Sequence, residues 1–176
     1  MPKGLKLDLG CGPSPRDGYE GVDIVPGSDY CMDLQEFPWP WKADSVEAAF
    51  SSHLVEHLPD LVGFMRELYR VMKPGARVEI HHPYQFNVRA WQDPTHVRCI
   101  NEVSWHYFDM KWRGGTSNTW GGYGNTDFTI VELDAIPHGA WKEVLENDPV
   151  EFEKAAASLI NVISDLHVVL ECRKDG

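Results

Sequence analysis

Asp8, Gly10, Gly12, Asp23 and Asp33 are the residues whose types and spacing first suggest chemistry. The stretch Leu7-Asp8-Leu9-Gly10-Cys11-Gly12-Pro13-Ser14-Pro15 reads as a strand running into a glycine turn. A dinucleotide-binding turn needs a third glycine, a full helix after it and an acid about 20 residues on. Here Pro15 stands where the third glycine would be, and Asp23 comes too early for a full crossover helix. Pro13 and Pro15 also lack the N–H groups that would cradle a pyrophosphate. A carboxylate at the end of a second strand can accept both hydroxyls of a ribose. A further acid can accept from an adenine amino group. Such a rim suits a ligand with a ribose, an adenine, an ammonium and a sulfonium but no phosphate.

A second set of candidates is rich in histidine. In His53-Leu54-Val55-Glu56-His57 the glutamate adjoins the second histidine, unlike the H-E-x-x-H of zinc proteases. Glu56 and His57 are therefore read as structural, and His53 as a residue at the site's edge. His81 and His82 are adjacent in a strand and must point to opposite faces, so one at most faces the site. Asp93 and His96, in the turn sequence Gln92-Asp93-Pro94-Thr95-His96, could be a base pair that deprotonates a hydroxyl or an amine. Asp93 could equally cap a helix. Together His82, Asp93 and His96 are the candidate catalytic residues. A metal shared by these three is conceivable, but nothing in their spacing demands one, and none is expected.

The elements that must position these residues alternate in the first half of the chain. Residues 5–9, 19–24, 29–33 and 46–51 read as short strands. Leu61, Phe64, Met65, Leu68, Val71 and Met72 recur at helical spacing, with Asp60 as cap and Pro74-Gly75 as stop. Residues 76–82 are the next strand. Strand, helix, strand in this register predicts a parallel pair with a right-handed crossover. The second half is less regular. A helix is expected near 101–110 and a strand over 127–136. A helix capped by Asp148 with Pro149 and Glu151 in its first turn follows, with Phe152, Ala155, Ala156, Leu159, Ile160 and Ile163 as its buried stripe. A final strand covers 166–172. The whole, 1–176, reads as one α/β domain. Residues 83–125, with Trp91, Trp105, Trp112, Trp120 and Tyr123, form an irregular region read as a lid over the substrate.

With those residues in view, the chain resembles the class I S-adenosylmethionine-dependent methyltransferases, in particular the small type 11-like group. The resemblance rests on D8-x-G10-x-G12, "GYEGVDI" with Asp23, "CMDL" with Asp33 and Leu34, "SSHLVEHLPD", and "ELYRVMKPGARVEI". It covers about residues 5–84. Beyond that, "DPTHVR" followed by "HYFD" is similar to some members only. The resemblance implies a Rossmann-like methyltransferase sandwich, its sheet mostly parallel with an antiparallel last strand. It implies S-adenosylmethionine as cofactor and S-adenosylhomocysteine as product. It places Asp8, Gly10, Cys11 and Gly12 under the methionine end, Asp23 on the ribose, Asp33 and Leu34 at the adenine, and Ser52 and His53 near the sulfonium.

Composition narrows the partners. A formal charge of −11 disfavours binding to bulk nucleic acid and favours a small-molecule or sugar acceptor, methylated on oxygen or nitrogen. The four cysteines are far apart, and no apolar run is long enough to span a membrane, so a cytoplasmic enzyme is expected. Oligomeric state is not encoded in any readable feature. Three rival readings compete. A nicotinamide oxidoreductase fails on the third glycine. A His/Asp metal-dependent hydrolase and a non-catalytic cofactor-binding partner of the same fold are the alternatives retained.

Overall fold

The computed structural model describes residues 4–114 and 122–174. Seven strands form one sheet: β1 (Leu5–Leu9), β2 (Glu20–Asp23), β3 (Tyr30–Cys31), β4 (Val46–Ser52), β5 (Met72–Pro83), β6 (Phe128–Pro137) and β7 (Ile163–Cys172). Their order is β3-β2-β1-β4-β5-β7-β6. The pairs from β3 to β5 are parallel, and β7 runs antiparallel to both β5 and β6. Chain order reverses direction at β1, which lies between β2 and β4. Open sheets of this type bind ligands at such a switch point, beyond the carboxyl ends of the strands.

The helix α1 (Leu61–Val71) supplies the crossover from β4 to β5. The Asp60 side chain accepts a hydrogen bond from the Gly63 N–H at 2.7 Å and so caps it. Leu61, Phe64, Met65, Leu68 and Val71 are buried and join Leu7, Leu9, Val46, Val78 and Ile80 in one core cluster. Each such side chain contributes about 1.5–3 kcal/mol on burial. Lys73, Pro74 and Gly75 turn the chain out of the helix, and the β4–β5 ladder is interrupted between Val46 and Ala48 to accommodate them. On the polar side of α1, Glu67 accepts from the Trp39 N–H at 2.7 Å and pairs with Arg70. This pins the helix-free segment between β3 and β4.

The other sheet face is polar. Residues 77–82 of β5 alternate between buried Val78, Ile80 and His82 and the more exposed Arg77, Glu79 and His81. Glu79 pairs with Arg16, His81 and His167, and Arg77 pairs with Glu171. No helix follows β1, β2 or β3, so Arg16 lies directly over the Phe50 ring at 4.3 Å.

The second half departs from the sequence reading in places. α2 (Arg89–Gln92) and α4 (Trp141–Asn147) were not expected, and the helix near 101–110 is only α3 (Glu102–His106). α5 (Pro149–Ser158) begins as predicted, with Asp148 accepting from the Glu151 N–H, but ends before Leu159. Leu159 and Ile160 are therefore exposed, and Ile163 belongs to β7. Trp105 is fully buried beside Phe108, so it is core and not lid. Trp91 is exposed, and Trp120 lies outside the described residues.

Candidate functional site

A cleft of about 340 Å³ opens at the carboxyl ends of β1, β2, β3 and β4. Gly10, Asp23, Asp33 and Leu34, four of the candidate cofactor residues, line it. Ile24, Met32, Leu54 and Leu58 give it apolar walls. Ile24 is 68% exposed at its lip.

The glycine turn is shaped for this cleft and not for an anion. Gly10 has φ +74°, and a side chain there would meet Leu54 at 3.0 Å. The Gly10 N–H donates to the Val22 carbonyl at 2.8 Å, and the Gly12 N–H to Asp23 Oδ2 at 2.7 Å. The Arg16 N–H donates to Asp8 Oδ2 at 2.7 Å. These amides are spent on protein acceptors, and the prolines have none to offer. Asp23 also accepts from the Val25 N–H at 2.9 Å. Each of its oxygens keeps a second lone pair, so it can still accept from two ligand hydroxyls.

Other predicted cofactor residues stand beside the cleft rather than in it. Asp8 is buried under the turn, where burial raises its pKa against the opposing Arg16 amide and guanidinium. The Cys11 thiol donates to the Gly12 carbonyl, and Gly12 serves to hold Asp23. Ser52 ends β4 half-buried. His53, at φ +53°, turns away into a neighbouring polar pocket of about 220 Å³.

That second pocket shares His57 with the cleft and holds His53, Glu56, Arg89, Asp93 and His96. Of the predicted catalytic residues, the structure brings Asp93 and His96 together there, with His96 Nε2 4.0 Å from Asp93 Oδ2. His82 is not with them. It is fully buried, with Nδ1 at 2.9 Å from the Pro83 carbonyl and Nε2 accepting from Trp105 Nε1 at 3.1 Å. Burial pushes its pKa down to about 4. A neutral, doubly bonded core imidazole cannot meet a substrate, so His82 leaves the candidate set. It points inward because the β5 alternation puts it on the same face as Val78 and Ile80.

Sequence reasoning missed Glu56 and His57 as pocket residues. Residues 53–60 form turns, not a helix, so His53 and His57 are placed by the turns and not by helical spacing. No local signal marked them, since His57 is met by Thr95 from 38 residues away. The His57 and His96 rings meet at 4.6 Å.

Strand order, the single antiparallel strand and the cleft at the switch point define the Rossmann-like fold of class I S-adenosylmethionine-dependent methyltransferases. Residues 19–80 match a methyltransferase domain family. A stretch of 64 residues is 31% identical to the botryococcene C-methyltransferase of Botryococcus braunii, covering 36% of this chain and 17% of that protein. The chain thus spans less than a fifth of that curated relative. Among solved structures, a SAM-dependent methyltransferase from Archaeoglobus fulgidus superposes with a TM-score of 0.67 at 20% identity, over 96% of this chain and 86% of the other. A Haloferax volcanii complex of the Trm112 methyltransferase activator with a methyltransferase gives 0.64 at 17% identity, over 100% and 86%.

Proposed function

We propose that the chain is an S-adenosylmethionine-dependent methyltransferase that acts on an oxygen or nitrogen of a small molecule or sugar. The observation that carries this is the cleft itself: a carboxylate at the end of β2, apolar walls, and a glycine turn whose amides are already used. Those residues fit an adenosyl sulfonium and do not fit a pyrophosphate. Asp23 would accept the ribose hydroxyls, Asp33 and the Leu34 backbone would border the adenine, and Ile24 with Leu58 would cover its faces. When bound, this cofactor supplies a methyl group that an acceptor lone pair captures as the C–S bond breaks, its electron pair staying on sulfur as S-adenosylhomocysteine leaves.

The chain's own contribution is then to bind and align the acceptor. The polar pocket meets the cleft at His57, so an acceptor there would approach from the side away from Asp33. Asp93 and His96 would orient it and meet the proton that an O–H or N–H acceptor must release. Arg89 would favour an acceptor bearing negative charge, although it already pairs with Asp165 at 3.1 Å.

Equilibrium dialysis with labelled S-adenosylmethionine tests this reading. Saturable one-site retention that excess NAD does not displace is expected. No retention, or retention displaced by NAD, would overturn it. Asp93→Asn and His96→Ala should keep cofactor retention, since neither residue lines the cleft.

A further inference from the structure

We infer that Glu56, His57 and His96 form a binding site for one divalent transition-metal ion of the zinc type, at the junction of the two pockets. Their ligand atoms lie within 4.8 Å of one another. Two imidazoles and a carboxylate with room left over are a donor set that such ions take, with a further position open. Tetrahedral bonds of about 2.1 Å need ligand atoms about 3.4 Å apart, so the three side chains would draw inward by small rotations.

Two independent features point to a cation here. The first is Glu56. It is 3% exposed, and neither carboxylate oxygen accepts a hydrogen bond. His53 Nδ1 lies 3.4 Å from Oε1, an ion-pair distance when that imidazole is protonated, but makes no hydrogen bond to it. A buried carboxylate in this condition costs several kcal/mol unless a positive charge meets it. The nearest cationic partner is His53, whose side chain is 42% exposed to water, and Arg89 is committed to Asp165.

The second is the way the histidines are held. His96 Nδ1 is 3.1 Å from the Ala90 carbonyl. A carbonyl only accepts, so Nδ1 carries the proton and Nε2 keeps its lone pair. Thr95 Oγ1 donates its one proton to Asp93 Oδ1 at 2.7 Å. Its 3.0 Å contact with His57 Nδ1 therefore has the imidazole as donor, and His57 Nε2 also keeps its lone pair. Fixing one ring nitrogen to a carbonyl or a carboxylate-backed hydroxyl is how proteins orient metal-binding imidazoles. Asp93 and Thr95 thereby become positioning residues for His57.

The ion's binding stands without the methyl-transfer reading; its use rests on that reading. An ion here would hold an oxygen or nitrogen acceptor by its lone pair beside the cofactor cleft and ease loss of its proton; with His96 Nε2 on the ion, that proton passes to Asp93 and not to His96. The acceptor class would then be one that coordinates metals, such as a vicinal hydroxyl or a carboxylate-bearing compound.

The test is zinc uptake by chelator-stripped protein, measured against a chromophoric chelator, with the cobalt form read by visible absorption. One equivalent is expected, with affinity at least about tenfold weaker in His96→Ala and Glu56→Gln. Thr95→Val alters only an exposed positioning side chain and keeps all three ligands, so folding is not at stake. It too should bind about tenfold more weakly. His167→Ala, in the separate Glu79, His81 and His167 cluster on the sheet face, should bind as the unaltered protein does. No stoichiometric uptake, or uptake that ignores His96→Ala, Glu56→Gln and Thr95→Val, would overturn the assignment. So would uptake lost in His167→Ala. No methyl donor is present in the assay, so this result and the dialysis result are independent.

Discussion

Lowering the pH from 7 to 5 should remove about 2 kcal/mol of stability through His82 alone. The folded imidazole titrates at about 4 because burial disfavours its charge, while the unfolded chain's imidazole titrates near 6.5. Between these values the unfolded chain holds a proton that the native state does not. Stability therefore rises with pH across this window, is fully present above about 6.5, and is lost as pH falls toward 4. Over the full window the difference amounts to about 3 kcal/mol, of which about 2 kcal/mol has gone by pH 5. Urea unfolding followed by tryptophan fluorescence at several pH values measures this directly. His82→Gln is the matched variant. It cannot titrate, and its amide oxygen can still accept from Trp105 Nε1. The variant will be less stable at pH 7, but its stability should fall by about 2 kcal/mol less than that of the unaltered protein on going to pH 5. Parallel pH profiles for the two proteins would refute the reasoning, because they would mean that His82 is hydrated or charged in the native state.

Other predictions follow from packing and exposure. Phe64 is fully buried against Trp39 at 5.4 Å, so Phe64→Ala should cost about 3–5 kcal/mol in urea unfolding; a loss under 1 kcal/mol would contradict the core assignment. Gly10→Ala places a side chain at φ +74° and against Leu54, so it should weaken cofactor retention in dialysis, and undiminished retention would show that the turn is not under the ligand. Cys31 is exposed, while burial pushes the Cys172 thiol up to about 12. A thiol reagent should label Cys31 within the native protein and Cys172 only on unfolding; equal rates would refute the burial of β7.

The first half of the fold was legible because its signals are local. Leu61 to Val71 repeat at helical spacing between an Asp60 cap and a Pro-Gly stop, Asp23 ends β2, and Asp33 follows two residues after the end of β3. Gly10, Asp23, Asp33 and Leu34, named from those strand ends and from the family resemblance, line one cleft in the structure. The polar pocket was harder. Glu56 and His57 sit in turns between β4 and α1, and only tertiary folding brings residues 93–96 against them. The orientation of His82 was readable from the alternation Val78, Ile80, His82, which puts it on the buried face, but its partner Trp105 comes from α3 and only tertiary folding brings it there. At α5 the apolar Leu159, Ile160 and Ile163 continued the helical period past the true end at Ser158. Period counting extended the helix where the chain turns into β7.

The measurement that tests the central claim most directly is calorimetric titration with S-adenosylmethionine, comparing the unaltered protein with Asp23→Asn. The variant keeps the side chain's shape but replaces one acceptor oxygen by a donor and removes the charge. Loss of a charge-assisted hydrogen bond to the ribose is worth about 1.5–3 kcal/mol, or roughly ten- to a hundredfold in affinity. One-site binding weakened by that factor is the result predicted. Binding of equal strength in both proteins would contradict the placement of the cofactor on the β2 carboxylate.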